Sequence, residues 1–119
     1  MKKPWHIYDK TYMQNYYISY GVSKEDFVKQ VKKYADYSEN IDDLKGGKAL
    51  VYTIKKNNVV WIWTEKKDLS CLVHELSHAV WYCFDMHGIK HTDDTDENYA
   101  YLLAMLLRDI LKGKKKGDT

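Results

Sequence analysis

The sequence predicts an α+β domain, a small sheet of about three strands packed on three helices in the order β-α-β-β-α-α. Three observations predict it. Two short runs rich in β-branched and aromatic residues, Ala49 to Ile54 and Val59 to Thr64, flank Lys55-Lys56-Asn57-Asn58 and read as a hairpin. Three segments carry apolar residues at helical spacing, and each begins near a capping or acidic residue. The chain has 119 residues, 45% of them apolar, which suits one core and one domain.

The elements follow in order. Tyr12-Met-Gln-Asn-Tyr-Tyr-Ile-Ser-Tyr20 is rich in strand-favouring aromatics, so a strand is expected around Tyr16 to Tyr20. Gly21 ends it. Ser23 caps a helix with Asp26 in its first turn and a stripe of Phe27, Val28, Val31, Tyr34 and Ala35. Residues 37–48 are polar, contain Gly46-Gly47, and read as a loop. The second hairpin strand, Val59-Val60-Trp61-Ile62-Trp63-Thr64, is apolar on both faces and should be central or covered twice. Asp68 or Ser70 caps the next helix, which should run to about Met86 with Gly88 as its stop. Its apolar residues predict a buried central helix. One stripe is Leu72, Leu76, Ala79, Val80, Cys83 and Met86; a second is His74, His78, Trp81 and Asp85. After a loop, the last helix is expected from about Asp96, a good N-cap, to about Leu111. Its core-facing stripe reads as Glu97, Ala100, Tyr101, Ala104, Leu107 and Leu111. Residues 1–112 form the domain and 113–119 a basic flexible tail.

Composition excludes several classes. Net charge is only +2, and the basic residues are 18 Lys and one Arg, Arg108. Arginine is the residue suited to bidentate base and phosphate recognition, so no specific nucleic-acid partner is expected. Four of the Lys fall in the last eight residues, where a solvated tail is the expected state and a weak polyanion contact the lesser alternative. Cys71 and Cys83 lie on one helix, about 18 Å apart at about 1.5 Å per residue, and cannot pair with each other. No disulfide framework is expected, which suits a reducing compartment. Met1-Lys-Lys is followed by no apolar core region, and no run reaches membrane-spanning length. A cytoplasmic protein without a membrane partner is the expectation.

The most informative stretch is His74-Glu75-Leu76-Ser77-His78. Residues four apart on a helix lie on one face, about 6 Å apart. Two imidazoles so placed can bind one zinc ion, and the adjacent Glu75 can take a proton from the attacking water. By chance the pattern would arise on the order of once in a hundred chains of this composition. The neighbours Leu72, Val73, Leu76, Ala79, Val80 and Trp81 are apolar, so unpartnered histidines buried among them would be costly.

Catalytic zinc usually has three protein ligands and a water. Glu97 is the third candidate, because a lone carboxylate on the core-facing stripe of the last helix needs a partner. A carboxylate favoured by the helix dipole is the alternative reading. Asp93, Asp94, Asp96 and His91 compete for the place, and Asp96 serves equally as a cap. His87 falls on the opposite side of an ideal helix, and His6 has no supporting context. Cys71 lies near the His74 face, but burial as a small apolar residue is the commoner fate of a free cysteine.

Val73-His-Glu-Leu-Ser-His-Ala79 followed by Asp96-Glu-Asn-Tyr-Ala-Tyr-Leu102 resembles the zincin metallopeptidases. Among these it resembles the gluzincins, in which a glutamate on a later helix is the third ligand, and small peptidase-like proteins of bacteriophages and their hosts. The resemblance covers roughly residues 49–107 and is one of motif. It implies a minimal zincin domain, Zn2+ as cofactor, His74, His78 and Glu97 as ligands, Glu75 as base, and a host-cytoplasmic location for a phage product. The metzincin extension would place glycine where Trp81 stands and histidine where Phe84 stands. The thermolysin-like pattern would place aspartate where Tyr101 stands. Tyr99 and Tyr101 remain as phenol hydroxyls that could stabilise a transition state, although a tyrosine on a helix stripe commonly packs in a core.

The leading expectation is zinc-dependent hydrolysis of a peptide or protein substrate, with an extended chain pairing on a sheet edge near the strand Val59 to Thr64. The rival is a zinc-stabilised protein that binds or inhibits a host protein without turnover. Eleven Tyr and four Trp would suit a partner surface, or equally the core.

Overall fold

The computed structural model describes residues 3–35, 48–55 and 58–115. Its order is β1 (Trp5–Asp9), β2 (Gln14–Tyr20), α1 (Lys24–Tyr34), β3 (Ala49–Ile54), β4 (Val59–Thr64), α2 (Leu69–Met86) and α3 (Asp96–Lys115). The α+β class holds, with four strands in one mixed sheet, ordered β1-β2-β4-β3. β1 pairs antiparallel with β2, β2 parallel with β4, and β4 antiparallel with β3.

β4 is buried at every position. Its alternation divides two cores. Val60 and Ile62 face Tyr16, Ile18, Leu72, Leu76 and Leu106 on the side of α2 and α3. Val59, Trp61 and Trp63 face Phe27 and Val31 of α1. Phe27 stacks on Trp63 with ring centroids 4.9 Å apart. The sheet is therefore covered on both faces, which explains why β4 is apolar throughout. Parallel pairing of β2 with β4 requires a crossover, and α1 with β3 supplies it.

Both indole N–H groups of β4 are satisfied. Trp63 Nε1 donates to the Val22 carbonyl at 2.7 Å. Trp61 Nε1 donates to Ser19 Oγ at 2.8 Å, and Ser19 Oγ donates to Gln30 Oε1 at 2.5 Å. That buried relay ties β4, β2 and α1 together. Gly21, at φ 73, turns the chain out of β2, and the Ser23 side chain accepts from the Asp26 N–H as the cap of α1.

Four expectations are revised or bounded. The sheet has a strand that was not anticipated: β1 is five residues long, and of its mixed sequence only Ile7 and Asp9 are buried, with Trp5 half-buried on the same face. β4 lies between β2 and β3 and offers no free edge; among the described strands the outer edges belong to β1 and β3. α3 continues past Leu111 to Lys115, and Gly113 is buried beside the Trp5 ring, where a Cβ would come within 2.5 Å of Cζ2. The first residues of the expected tail are therefore helical, and residues 116–119 lie outside the described residues. So do most of the expected 37–48 loop and residues 56–57 of the hairpin turn; Asn58 has the expected positive φ, 54°. Among the described residues no helix is long and apolar enough to cross a membrane.

Ser19→Ala should destabilise the fold by about 1–3 kcal/mol, because it removes the acceptor from a buried indole N–H. Urea unfolding measures it; a loss below about 0.5 kcal/mol would mean that the Trp61 N–H finds another partner.

Candidate metal centre

The helix that carries the histidines is fixed at both ends. Asp68 caps it, its carboxylate accepting from Ser70 N at 2.9 Å, Ser70 Oγ at 2.7 Å and Cys71 N at 3.4 Å. These bonds, led by the Ser70 hydroxyl, hold the Asp68 carboxyl below its ordinary pKa. At the other end Gly88 has φ 70, and His87 Nε2 lies 3.1 Å from Gln14 Oε1 of β2. His87 is thus occupied with the sheet.

Between these ends α2 is amphipathic in three dimensions. Leu72, Leu76, Ala79, Val80, Cys83 and Phe84 are buried. Cys71, His74, His78, Trp81 and Asp85 are exposed on the opposite side. The expected central helix, buried all round, is therefore a helix laid on the sheet with one face open. Leu69, Val73 and Trp81 raised its apolar content without entering the core.

His74 and His78 come together on that open face. Their Nε2 atoms are 3.2 Å apart and their rings lie at 77° to each other. Two nitrogens each about 2.0–2.1 Å from a tetrahedral zinc would be separated by about 3.3–3.4 Å. The pair fits two positions of such an ion. The same distance suits one imidazole N–H donating to the other ring. Glu75 is half-buried on the flank of this face.

The other candidates do not join them. Glu97 is exposed, on the side of α3 opposite Leu102, Leu106 and Ile110, which are the residues that α3 buries. The expected core-facing stripe of Glu97, Ala100, Tyr101 and Ala104 is the outer face instead. Tyr101 is 71% exposed. The large side chains at 102, 106 and 110 bury more apolar surface than alanines can, so they decide which face turns inward. Asp93, Asp94 and Asp96 are exposed, and Asp96 is the first residue of α3 rather than the one before it. His91 packs its ring against Tyr99 and Phe84, at 4.5 and 5.5 Å between centroids. His6 stacks on Tyr17 at 4.6 Å and bonds Asn15 at 2.9 Å. Among the described residues no three His, Cys, Asp or Glu side chains converge to hold a metal ion. The spacing of the pair therefore suits two zinc ligands, and the third place is unfilled among the described residues.

Tyr99 does reach α2. Its hydroxyl donates to the Ser77 carbonyl at 2.5 Å, which leaves Ser77 Oγ as donor to the Tyr99 oxygen at 2.7 Å. This double contact sits within the His74-to-His78 turn and locks the start of α3 against it. A second group of polar side chains lies in the core beneath α2 and was not anticipated. Asp9 Oδ1 accepts from Thr11 N at 3.1 Å, while Asp9 Oδ2 has no partner among the described residues and the Tyr16 hydroxyl has only the Cys83 thiol beside it. Burial, with Cys83 and Asp9 nearby, pushes the Tyr16 hydroxyl far above the ordinary tyrosine range. No spacing in the sequence brings Asp9, Tyr16 and Cys83 together; only the β1–β2 register and the seat of α2 do.

The two thiols differ in kind. Cys83 is buried and its thiol pKa is raised by that burial. Cys71 is exposed, and partial desolvation, then Asp68 and Glu75, raise its thiol. A native-state titration with a thiol-specific disulfide reagent should therefore modify Cys71 alone, with Cys83 appearing after denaturation. Because a raised pKa leaves less thiolate at a given pH, the Cys71 rate should still be climbing above about pH 8.5, the ordinary cysteine value. Two equally fast thiols in the native protein would contradict this burial pattern.

Compared with protein-family models, with curated proteins and with solved structures, the chain matches none.

Proposed function

We propose that this chain is a zinc-dependent hydrolase of peptide bonds, with His74 and His78 as ligands and Glu75 as its base. One observation carries the reading: two imidazole Nε2 atoms 3.2 Å apart on an open helix face, with a carboxylate beside them. Zinc held there would supply a water of lowered pKa and would polarise the substrate carbonyl. Glu75 takes the proton of the attacking water and passes it to the leaving amine. α2 packs across β4 and β3, and β3 is the nearer strand with an unpaired edge among those described. An extended peptide substrate would therefore pair along β3. Glu97 is the proposed third ligand, and the Tyr99–Ser77 contact opposes its approach by holding the first turns of α3 in place.

A second reading has its own support. The third ligand is not gathered, and Trp81, 48% exposed, stands on the same face as the histidine pair. Exposed tryptophan anchors protein interfaces. In this reading the chain binds a host protein through the α2 face, with zinc as a structural ion and no turnover.

Elemental analysis of untagged protein, with His78→Ala and Glu97→Ala alongside, tests the centre. Near-stoichiometric zinc in the wild type, lost or strongly weakened in both variants, is the expected result. Zinc lost only from His78→Ala would return the third place to the aspartates or His91. Absence of zinc after reconstitution would refute the centre. Glu75→Gln should keep zinc and lose peptide hydrolysis by at least about 100-fold, the scale of general-base catalysis. Unchanged hydrolysis in that variant would sink the mechanism, and zinc without hydrolysis in the wild type would favour the binding protein.

A further inference from the structure

We propose that α3 forms the interface of a symmetric, antiparallel dimer of this chain. The helix carries two apolar stripes; the fold buries one and leaves the other largely open, with only Leu107 of it also touching the core. Leu102, Leu106 and Ile110 are buried in the core. Ala100, Ala104, Leu107 and Leu111 form the other, spaced by four, three and four residues, which is the seam pattern of paired helices. Ala100 and Ala104 are exposed, Leu107 and Leu111 half-buried, and Tyr101 projects beside them, 71% exposed. Such a seam on a lone surface helix lacks the partner that its pattern specifies.

Shape and charge identify the occupant as a second copy. A hollow of about 390 Å³ lies along this face, lined by Ala104, Leu107, Arg108, Leu111 and Lys112. In an antiparallel pair crossing at Ala104, each residue meets the residue equally far beyond Ala104 in the other copy. Tyr101, three before Ala104, then meets Leu107, three after it, and enters that hollow. The small side chain of Ala104 lets the backbones approach at the two-fold axis. Glu97, seven before, meets Leu111 and its neighbours Arg108 and Lys112. The acidic start of each α3, Asp96 and Glu97, is thereby set against the basic end of the other. A parallel pair would oppose like charges and would leave Tyr101 facing Tyr101. The antiparallel interface is self-complementary and closes at two copies. It does not involve the histidine pair and shares only Glu97 with the proposed centre, so its test uses metal-free protein and variants at other positions.

Sedimentation equilibrium from low-micromolar to near-millimolar concentration tests the dimer. The wild type should reach the dimer mass within that range. Ala104→Arg places two arginines at the two-fold axis of an exposed helical site, and should yield monomer at every concentration with an unchanged circular dichroism spectrum. Asp96→Lys should weaken the dimer at least tenfold, and adding Lys112→Asp to it, which exchanges the two charges that meet eight residues either side of Ala104, should restore the wild-type constant. A wild type monomeric throughout, or a dimer indifferent to Ala104→Arg, overturns the proposal. Failure of the charge exchange to restore association overturns the antiparallel arrangement.

Discussion

The structure depends on the double-sided burial of β4. All six residues of Val59–Thr64 are buried, and they include two tryptophans. Tryptophan buries on the order of 200 Å² but brings an N–H that must be satisfied. Ser19 and the Val22 carbonyl meet that demand, and both belong to β2 or the turn that leaves it. The pairing of β2 with β4 is thus specified by hydrogen bonds from side chains as well as by the ladder. Once β4 is central, α1 must cover one face and α2 the other, because either face left open would expose a continuous apolar surface.

That constraint also orients the histidines. α2 seats Leu72, Leu76, Ala79 and Cys83 on Val60, Ile62 and their neighbours. His74 and His78 are about half a turn from those residues and therefore face outward. Their position carries little desolvation penalty, so their hydrogen-bonding distance needs no buried partner to sustain it. Asp68 and Gly88 set the length of the helix, and the Gln14–His87 contact keeps it from sliding along the sheet. The pair is thus held by groups that take no part in its chemistry.

β3, β4, α1 and α2 were legible because local and tertiary signals agree there. Ser23 and Asp68 cap, Gly21 and Gly88 stop, and the bounds Ala49–Ile54 and Val59–Thr64 follow from the runs themselves. β1 was not legible, since Trp5-His6-Ile7-Tyr8-Asp9 is short, mixed in polarity, and strand-like only when β2 is beside it. The face of α3 was misjudged for a different reason. Both of its stripes are apolar at helical spacing, and periodicity alone does not choose between them. Side-chain size does: two leucines and an isoleucine gain more by burial than a stripe centred on Ala100 and Ala104. The expectation that Glu97 lies inward came from that same choice of stripe. The apolar flanks of the histidine motif were also read as burying it, whereas Leu72, Leu76, Ala79 and Val80 enter the core and His74 and His78 do not.

Magnitudes decide how Glu97 would reach a zinc ion held by His74 and His78. Glu97 and Tyr99 are two residues apart, close to 200° around the helix. Turning the whole of α3 by half a revolution would expose Leu102, Leu106 and Ile110, at roughly 1.5–3 kcal/mol each, or roughly 5–9 kcal/mol in all. It would also break both hydroxyl contacts between Tyr99 and Ser77. Unwinding only the first turn, upstream of Tyr99, sacrifices less, because it gives up a few end-of-helix backbone hydrogen bonds at about 0.5–1.5 kcal/mol each and keeps all three apolar side chains buried. Apparent binding free energies of structural zinc sites are about 10–16 kcal/mol, so the smaller rearrangement leaves most of that available for folding and binding. The proposed recruitment of Glu97 would therefore proceed by local unwinding of residues 96–98, with Tyr99 still bonded to Ser77 as the fixed point about which that segment would turn.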